Sequence, residues 1–259
     1  MKKTIVMLAA GALLLATPSC KKGENDPFLS LSSRKGRVVG EWTVTGYETT
    51  SKTTQNDGDY NSFTQSLSGT TISTSNTTYD AGSGSTTTGT GSYTLNEGSY
   101  TFEKDGTFSG VWNVTYVSTA SYTLLGVTYT ITTTTVSTSK SSGNWSFAGK
   151  VKDEYKNKER LVLNILSVEE TDKSTSVTTN SANSTTDTSE GDLTTTIENY
   201  NSGEMVEAYE IDQLKGKEMI LKSFVNESGT ESVTTPGGTT TTDINDTVVG
   251  ETTYTLTAK

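Results

Sequence analysis

The sequence predicts an all-β fold, an antiparallel up-and-down barrel of about eight to ten strands with long Thr/Ser-rich hairpin extensions. Three observations predict it. Thr and Ser dominate a chain of 259 residues that is only 31% hydrophobic, and Thr is β-branched, so it suits a strand. Phe108, Gly110, Trp112, Val114 and Tyr116 recur at alternate positions, the period of a half-buried strand. Only 3 prolines occur, which leaves room for long uninterrupted strands. No segment of convincing length has a helical period.

The N-terminus reads as an export signal. Met1-Lys2-Lys3 is basic, Thr4 to Ala16 is apolar or small at nearly every position, and polarity begins at Lys21, directly after Cys20. The apolar stretch is shorter than the roughly 20 residues that a membrane-spanning helix needs. We expect residues 1–19 to be a signal peptide, 20–36 a lipidated tether and 37–259 a single β domain. Cys20, the only cysteine, is the expected lipid-attachment residue. More than one acyl chain there would anchor the protein stably.

The first strand is expected to carry Val38, Val39, Trp42, Val44 and Tyr47, with a turn at Gln55-Asn56-Asp57-Gly58-Asp59. Residues 60–79 and 86–95 read as two Thr-rich strands joined at 80–84. Asp105-Gly106, between Tyr100-Thr101-Phe102 and Thr107-Phe108, is a strong hairpin signal. Another Thr-rich strand spans 126–138, and Trp145 and Phe147 share a face. A charged loop from Lys150 to Arg160 precedes Leu161, Leu163 and Ile165, whose strand runs on to Thr179. Residues 180–190 form its tip and 191–200 return. Tyr209 and Ile211 lead through Leu214 to Met219 and Leu221. A last hairpin turns at Pro236-Gly237-Gly238 and ends on Tyr254 and Leu256. The stretches near 60–95, 168–200 and 225–250 are too poor in large apolar groups to bury much surface. They are expected as hairpins that extend beyond the barrel rim, the other reading being disordered loops.

Gly40-Glu41-Trp42 at the start of the first strand resembles the Gly-x-Trp signature of lipocalin-like, calycin-type barrels. The hairpin from Tyr100 to Phe108, Gly143-Asn144-Trp145, and Tyr209-Glu210-Ile211-Asp212-Gln213-Leu214 are similar to segments of small lipocalin-like lipoproteins of Bacteroidetes. Thr17-Pro18-Ser19-Cys20 resembles their loose lipobox. The resemblance implies a barrel closed at its base by Trp42 and an outer-membrane location, with the side of that membrane left open.

Composition excludes several chemistries. There are 30 acidic against 20 basic residues, a formal net charge of −10, which argues against a nucleic-acid partner. With no histidine there is no Ser-His-Asp triad, no Cys-His pair and no histidine metal site. No cofactor, metal or catalytic residue is expected, and we expect no enzyme. Glu97, Glu103, Glu169, Glu170, Glu204, Glu207 and Glu210 could supply a carboxylate pair for glycoside hydrolysis, but most read as solvated surface. Asn56-Asp57-Gly58-Asp59 reads as a turn rather than a calcium loop, because the downstream Glu of an EF-hand is missing.

Trp42, Tyr100, Phe102, Phe108, Trp112 and Trp145 are the candidate interior residues. They either fill the barrel or line a pocket. Two functions follow. One is a binding module for a small apolar ligand. The other is a structural or interaction lipoprotein with a filled barrel, whose hairpins meet a partner or a glycan. Asp246-Thr247-Val248 also resembles the short O-glycosylation motif of Bacteroidetes. A glycan on Thr247 would be solubilising and would shield a hairpin edge from other chains. Intact-mass measurement of the native protein extracted from membranes should give a mass above that of residues 20–259. Cys20→Ala should remove the acyl increment and Thr247→Ala the glycan increment. Variants that differ from the native protein only by their side-chain masses would exclude both modifications.

Overall fold

The computed structural model describes residues 34–148, 159–232 and 243–259. Cys20, the charged stretch 150–158 and the turn at Pro236-Gly237-Gly238 lie outside them. One short helix, α1 (Arg34–Val38), leads into twelve strands. These are β1 (Gly40–Thr54), β2 (Tyr60–Ser68), β3 (Thr71–Asp80), β4 (Ser85–Phe102), β5 (Thr107–Leu124), β6 (Val127–Ala148), β7 (Arg160–Asn180), β8 (Thr186–Glu190), β9 (Thr194–Asn199), β10 (Met205–Lys215), β11 (Glu218–Ser232) and β12 (Asp243–Ala258). Among the described residues no helix is long and apolar enough to cross a membrane.

All pairings are antiparallel. They run up and down through β1 to β7, then β10, β11 and β12, and back to β1, a near-closed ring of ten strands. At one end β1 also pairs β4, Trp42 standing opposite Tyr100. That contact bypasses β2 and β3 and draws β1, β4, β5, β6, β7, β10, β11 and β12 into a tighter circuit of eight. We call this end the root. The ring loosens above it, because β10 and β11 pair no further up than Glu210 with Lys222.

The root holds the core. Trp42 and Phe102, each 1% exposed, pack with Phe108, Trp145, Leu161, Leu163, Ile211, Leu214, Met219, Leu221 and Leu256. Phe102 meets the edge of Trp145 with centroids 5.7 Å apart. Both buried indole N–H groups find carbonyls: Trp42 Nε1 donates to Val38 at 2.7 Å and Trp145 Nε1 to Glu103 at 3.0 Å. An unpaired indole N–H would be costly here. α1 covers the end of the root. Arg34 pairs with Glu159 at 2.9 Å, both largely buried, and Arg37 donates to the Leu214 carbonyl.

Several elements differ from expectation. Val38 ends α1 instead of opening the first strand, and α1 takes in residues 34–36 of the stretch read as tether. Residues 60–79 are two strands. Gly69, with φ of 62°, turns the chain between them, and Leu67 and Ile72 tuck that turn against Leu95 and Val114. A Ser-Gly-Thr turn inside a hydroxyl-rich run carries little sequence signal. The return from the 181–185 turn is broken into β8, β9 and β10, which pair successive stretches of one edge of β7. The Asp105-Gly106 turn forms as expected, Gly106 taking φ of 95° and Phe102 standing opposite Phe108.

Above the root the strands are held by cross-strand hydroxyl and aromatic pairs. Thr133 bonds Ser176 and Thr135 bonds Ser174, both at 2.9 Å, and Thr77 bonds Thr88 at 3.1 Å. Tyr60 stacks on Tyr79 at the end of β2–β3 away from Gly69, and Tyr122 stacks on Tyr129 close to the β5–β6 turn. Such pairs contribute about 0.2–1 kcal/mol apiece, far less than a filled core position. The extensions therefore depend on the root. Trp42→Ala should cost about 3–5 kcal/mol in denaturant unfolding, whereas Thr77→Ala should cost under about 1 kcal/mol. Equal losses would show that the extensions carry stability of their own.

Candidate functional site

Immediately above the packed root the ring holds a half-open cavity of about 360 Å³. Its walls follow from strand periodicity. β5 turns Phe108, Gly110 and Trp112 inward, β4 contributes Tyr93 and Tyr100, and β1 and β12 contribute Tyr47 and Tyr254. β7 supplies Leu163, Ile165, Val168 and Glu170, β10 supplies Met205 and Glu207, and β6 supplies Ser139 and Ser141. Gly110 makes room. A Cβ there would come within 2.8 Å of Ser141 Oγ and 3.0 Å of the Tyr100 ring.

The aromatic side chains singled out from the sequence divide into two groups. Trp42, Phe102 and Trp145 are buried in the root and do not line the cavity. Tyr100, Phe108 and Trp112 do line it. The structure adds Tyr47, Tyr93 and Tyr254, which were not among the interior residues expected from the sequence. Tyr47 meets Trp112 edge-on at 5.6 Å and Tyr254 at 5.0 Å. Period-two spacing from Leu256 back to Tyr254 was the available signal for the last of these.

Two glutamates depart from the expectation of solvated surface. Glu207 is half-buried on the cavity wall, two residues before buried Tyr209, whose hydroxyl donates to it at 2.7 Å. Glu210 is 8% exposed. Glu170, although exposed, reaches the upper wall. Among the described residues no group of three His, Cys, Asp or Glu is placed to hold a metal ion. Asp57 accepts from the backbone of Asp59, and Asp59 from that of Ala81, so this pair ties two neighbouring turns together.

Thr247 is exposed on β12, opposite Thr54 on β1 and Ser228 on β11. Both edges of β12 are thus paired at this point. A glycan on Thr247 would cover a sheet face rather than guard a free edge.

Tyr100, Tyr209 and Tyr254 form a largely desolvated network, with Tyr47 and the more exposed Tyr93 at its edge. Burial pushes the Tyr209 and Tyr254 hydroxyls far above the ordinary phenol range, each ring's proximity to other tyrosines and to Glu207 adding to it. Burial raises Tyr100 in the same way, reinforced by the Glu207 charge. Tyr93, bonded to Gln65, is pushed up to about 12 by burial and by Tyr116 and Tyr47. Burial also raises Tyr47, against a bond from Thr49 that lowers it. The cavity therefore presents neutral hydroxyls across all physiological pH.

No protein-family model matches this chain, and no curated protein matches it in sequence.

The unfolded chain would release the tyrosine protons near pH 10, whereas the folded network holds them beyond that. The folded form then binds more protons, so stability should be level up to about pH 10 and fall as the pH rises past it. Phenolate absorbance from this network should appear only together with loss of near-ultraviolet circular dichroism. Titration of all 12 tyrosines near pH 10 with the fold intact would contradict the network.

Proposed function

We propose that the ring is a lipocalin-like barrel, held to the outer membrane through Cys20, which binds a small ligand without catalysing a reaction. The cavity above the filled root carries this reading. Its volume of about 360 Å³ falls within the range of small-molecule sites. Its walls combine aromatic faces with a few convergent polar groups, the usual make-up of such sites. The hydroxyls and carboxylates on the wall favour an amphipathic ligand over the purely apolar one that composition alone suggested. A lipid anchor would keep such a binder at the membrane surface.

The hairpin extensions favour a second reading, contact with a partner. Leu124 and Leu125 at the β5–β6 turn are exposed, Leu125 by 96%. The two readings separate experimentally, because deleting residues 181–185 should leave cavity binding intact and weaken only a rim contact.

Trp112 is the reporter for the main reading, since Trp42 and Trp145 lie in the root. A small aromatic probe should shift or quench the tryptophan emission of the native protein, and Trp112→Phe should abolish the response. Gly110→Ala sets a methyl on the cavity wall against Ser141 Oγ and the Tyr100 ring and should weaken binding by about tenfold or more, with an unchanged far-ultraviolet spectrum. If no probe perturbs the emission, or Gly110→Ala binds as tightly as the native protein, the cavity is not a ligand site.

A further inference from the structure

The cavity carries formal charge of one sign. Glu170 and Glu207 stand on its wall, and no lysine or arginine lines it. Period-two spacing along β7 places Asp172 on the same sheet face as Glu170. The lysines nearest in sequence are engaged elsewhere. Lys173 lies 3.7 Å from Glu190, and Lys215 donates to Gln213 at 3.0 Å. Lys140, across the sheet from β7, pairs with Glu169 at 2.8 Å. Among the described residues neither Glu170 nor Glu207 is ion-paired.

Glu207 is held in place. It accepts from Tyr209, which packs edge-on against Tyr254 at 5.8 Å. The remaining wall is a set of π-faces from Tyr47, Tyr93, Tyr100, Trp112 and Tyr254. Electron-rich ring faces attract a cation brought among them, and most strongly where water is excluded. A half-buried carboxylate without a counter-ion gains a charge-assisted hydrogen bond from an ammonium. A carboxylate or phosphate ligand meets the opposite situation. It would be desolvated beside two like charges with no basic group to receive it. The net charge of −10 adds a long-range field of the same sign.

We propose that the cavity takes a small organic cation, an aryl- or alkylammonium, with its charge between Glu207 and the tyrosine and Trp112 rings. This rests on the reading of the cavity as a ligand site. The apolar tail lies against Phe108, Leu163 and Ile165 at the floor, where the cavity meets the core. The charged head lies at the level of Glu207. A neutral polyol could stack on the same rings, but it would leave the Glu207 charge uncompensated.

Three soluble probes of one shape and different charge test this: phenethylammonium, phenethyl alcohol and phenylacetate. Each is titrated by calorimetry into the mature protein at neutral pH and at low and high salt. Phenethylammonium should bind about tenfold or more tighter than the alcohol, phenylacetate should bind weakest, and salt should narrow the gap. Glu207→Gln should bring the ammonium-to-alcohol ratio close to one. Tyr254→Phe keeps a ring face and should preserve most of the preference for the cation. If the alcohol binds as well as the ammonium, or Glu207→Gln leaves their ratio unchanged, the cation assignment is wrong and the ligand site stands. If none of the three gives heat or a change in Trp112 emission, both fail.

Discussion

Trp42 stands where β1 is hydrogen-bonded on both sides, to β12 opposite Ala258 and to β4 opposite Tyr100. Its ring fills the end of the root and its N–H caps a carbonyl of α1. Among the described residues, only at this level does the sheet close through eight strands and are large apolar side chains packed from every strand of the circuit. The remaining structure is built outward from this closure. A chain that is 31% hydrophobic cannot fill a ring along the whole length of strands up to 22 residues long. The apolar residues are concentrated at one end, and Thr, Ser and Tyr pairs carry the strands onward.

The cavity is a consequence of that distribution. Below it Phe102, Trp145 and Leu161 are packed together in the buried core. Above it the inward positions pass to Ser, Thr and Tyr, and Gly110 removes one side chain from the wall where Tyr100 and Trp112 lie. Tyrosine suits this boundary, since its ring packs against the core while its hydroxyl meets another polar group. The network of Tyr209, Tyr254 and Tyr100 around Glu207 is the transition layer between a dry core and a hydroxyl-covered rim.

Curvature has a local cause. Register shifts fall at Val44/Gly46 on β1, at Leu95/Glu97 on β4, between Ile165 and Ser167 on β7, and at Ile211/Gln213 on β10. Each bulge adds a residue, increases the local twist and bends its strand, which helps a sheet close on itself. The bulges on β1 and β7 lie beside the cavity residues Tyr47, Ile165 and Val168, and the one on β10 lies within the root beside Ile211 and Leu214. The bulges also explain a spacing visible in the chain. Trp42, Val44 and Tyr47 are two and then three apart, and so are Tyr209, Ile211 and Leu214. The longer step is the bulged residue, and the same face stays inward on either side of it.

Much of this was legible in the sequence. Period-two apolar spacing marked β1, β5, β7 and β10, and Asp105-Gly106 located a tight turn, because these are local preferences set by the backbone and the side-chain pleat. The β2–β3 turn was not legible, since Gly69 sits in a hydroxyl-rich run and its burial depends on Leu95 and Val114 from distant strands. The inward path of Glu207 was legible by counting back from Ile211, but charge alone suggested solvent. What the sequence determined by itself was an all-β chain with too few apolar residues for a long core, and turns at its Gly-containing breaks. Only the tertiary structure decided which aromatics fill the root and which line the cavity. That division depends on where the ring closes and where its bulges fall, and both are set by pairing between strands far apart in the chain.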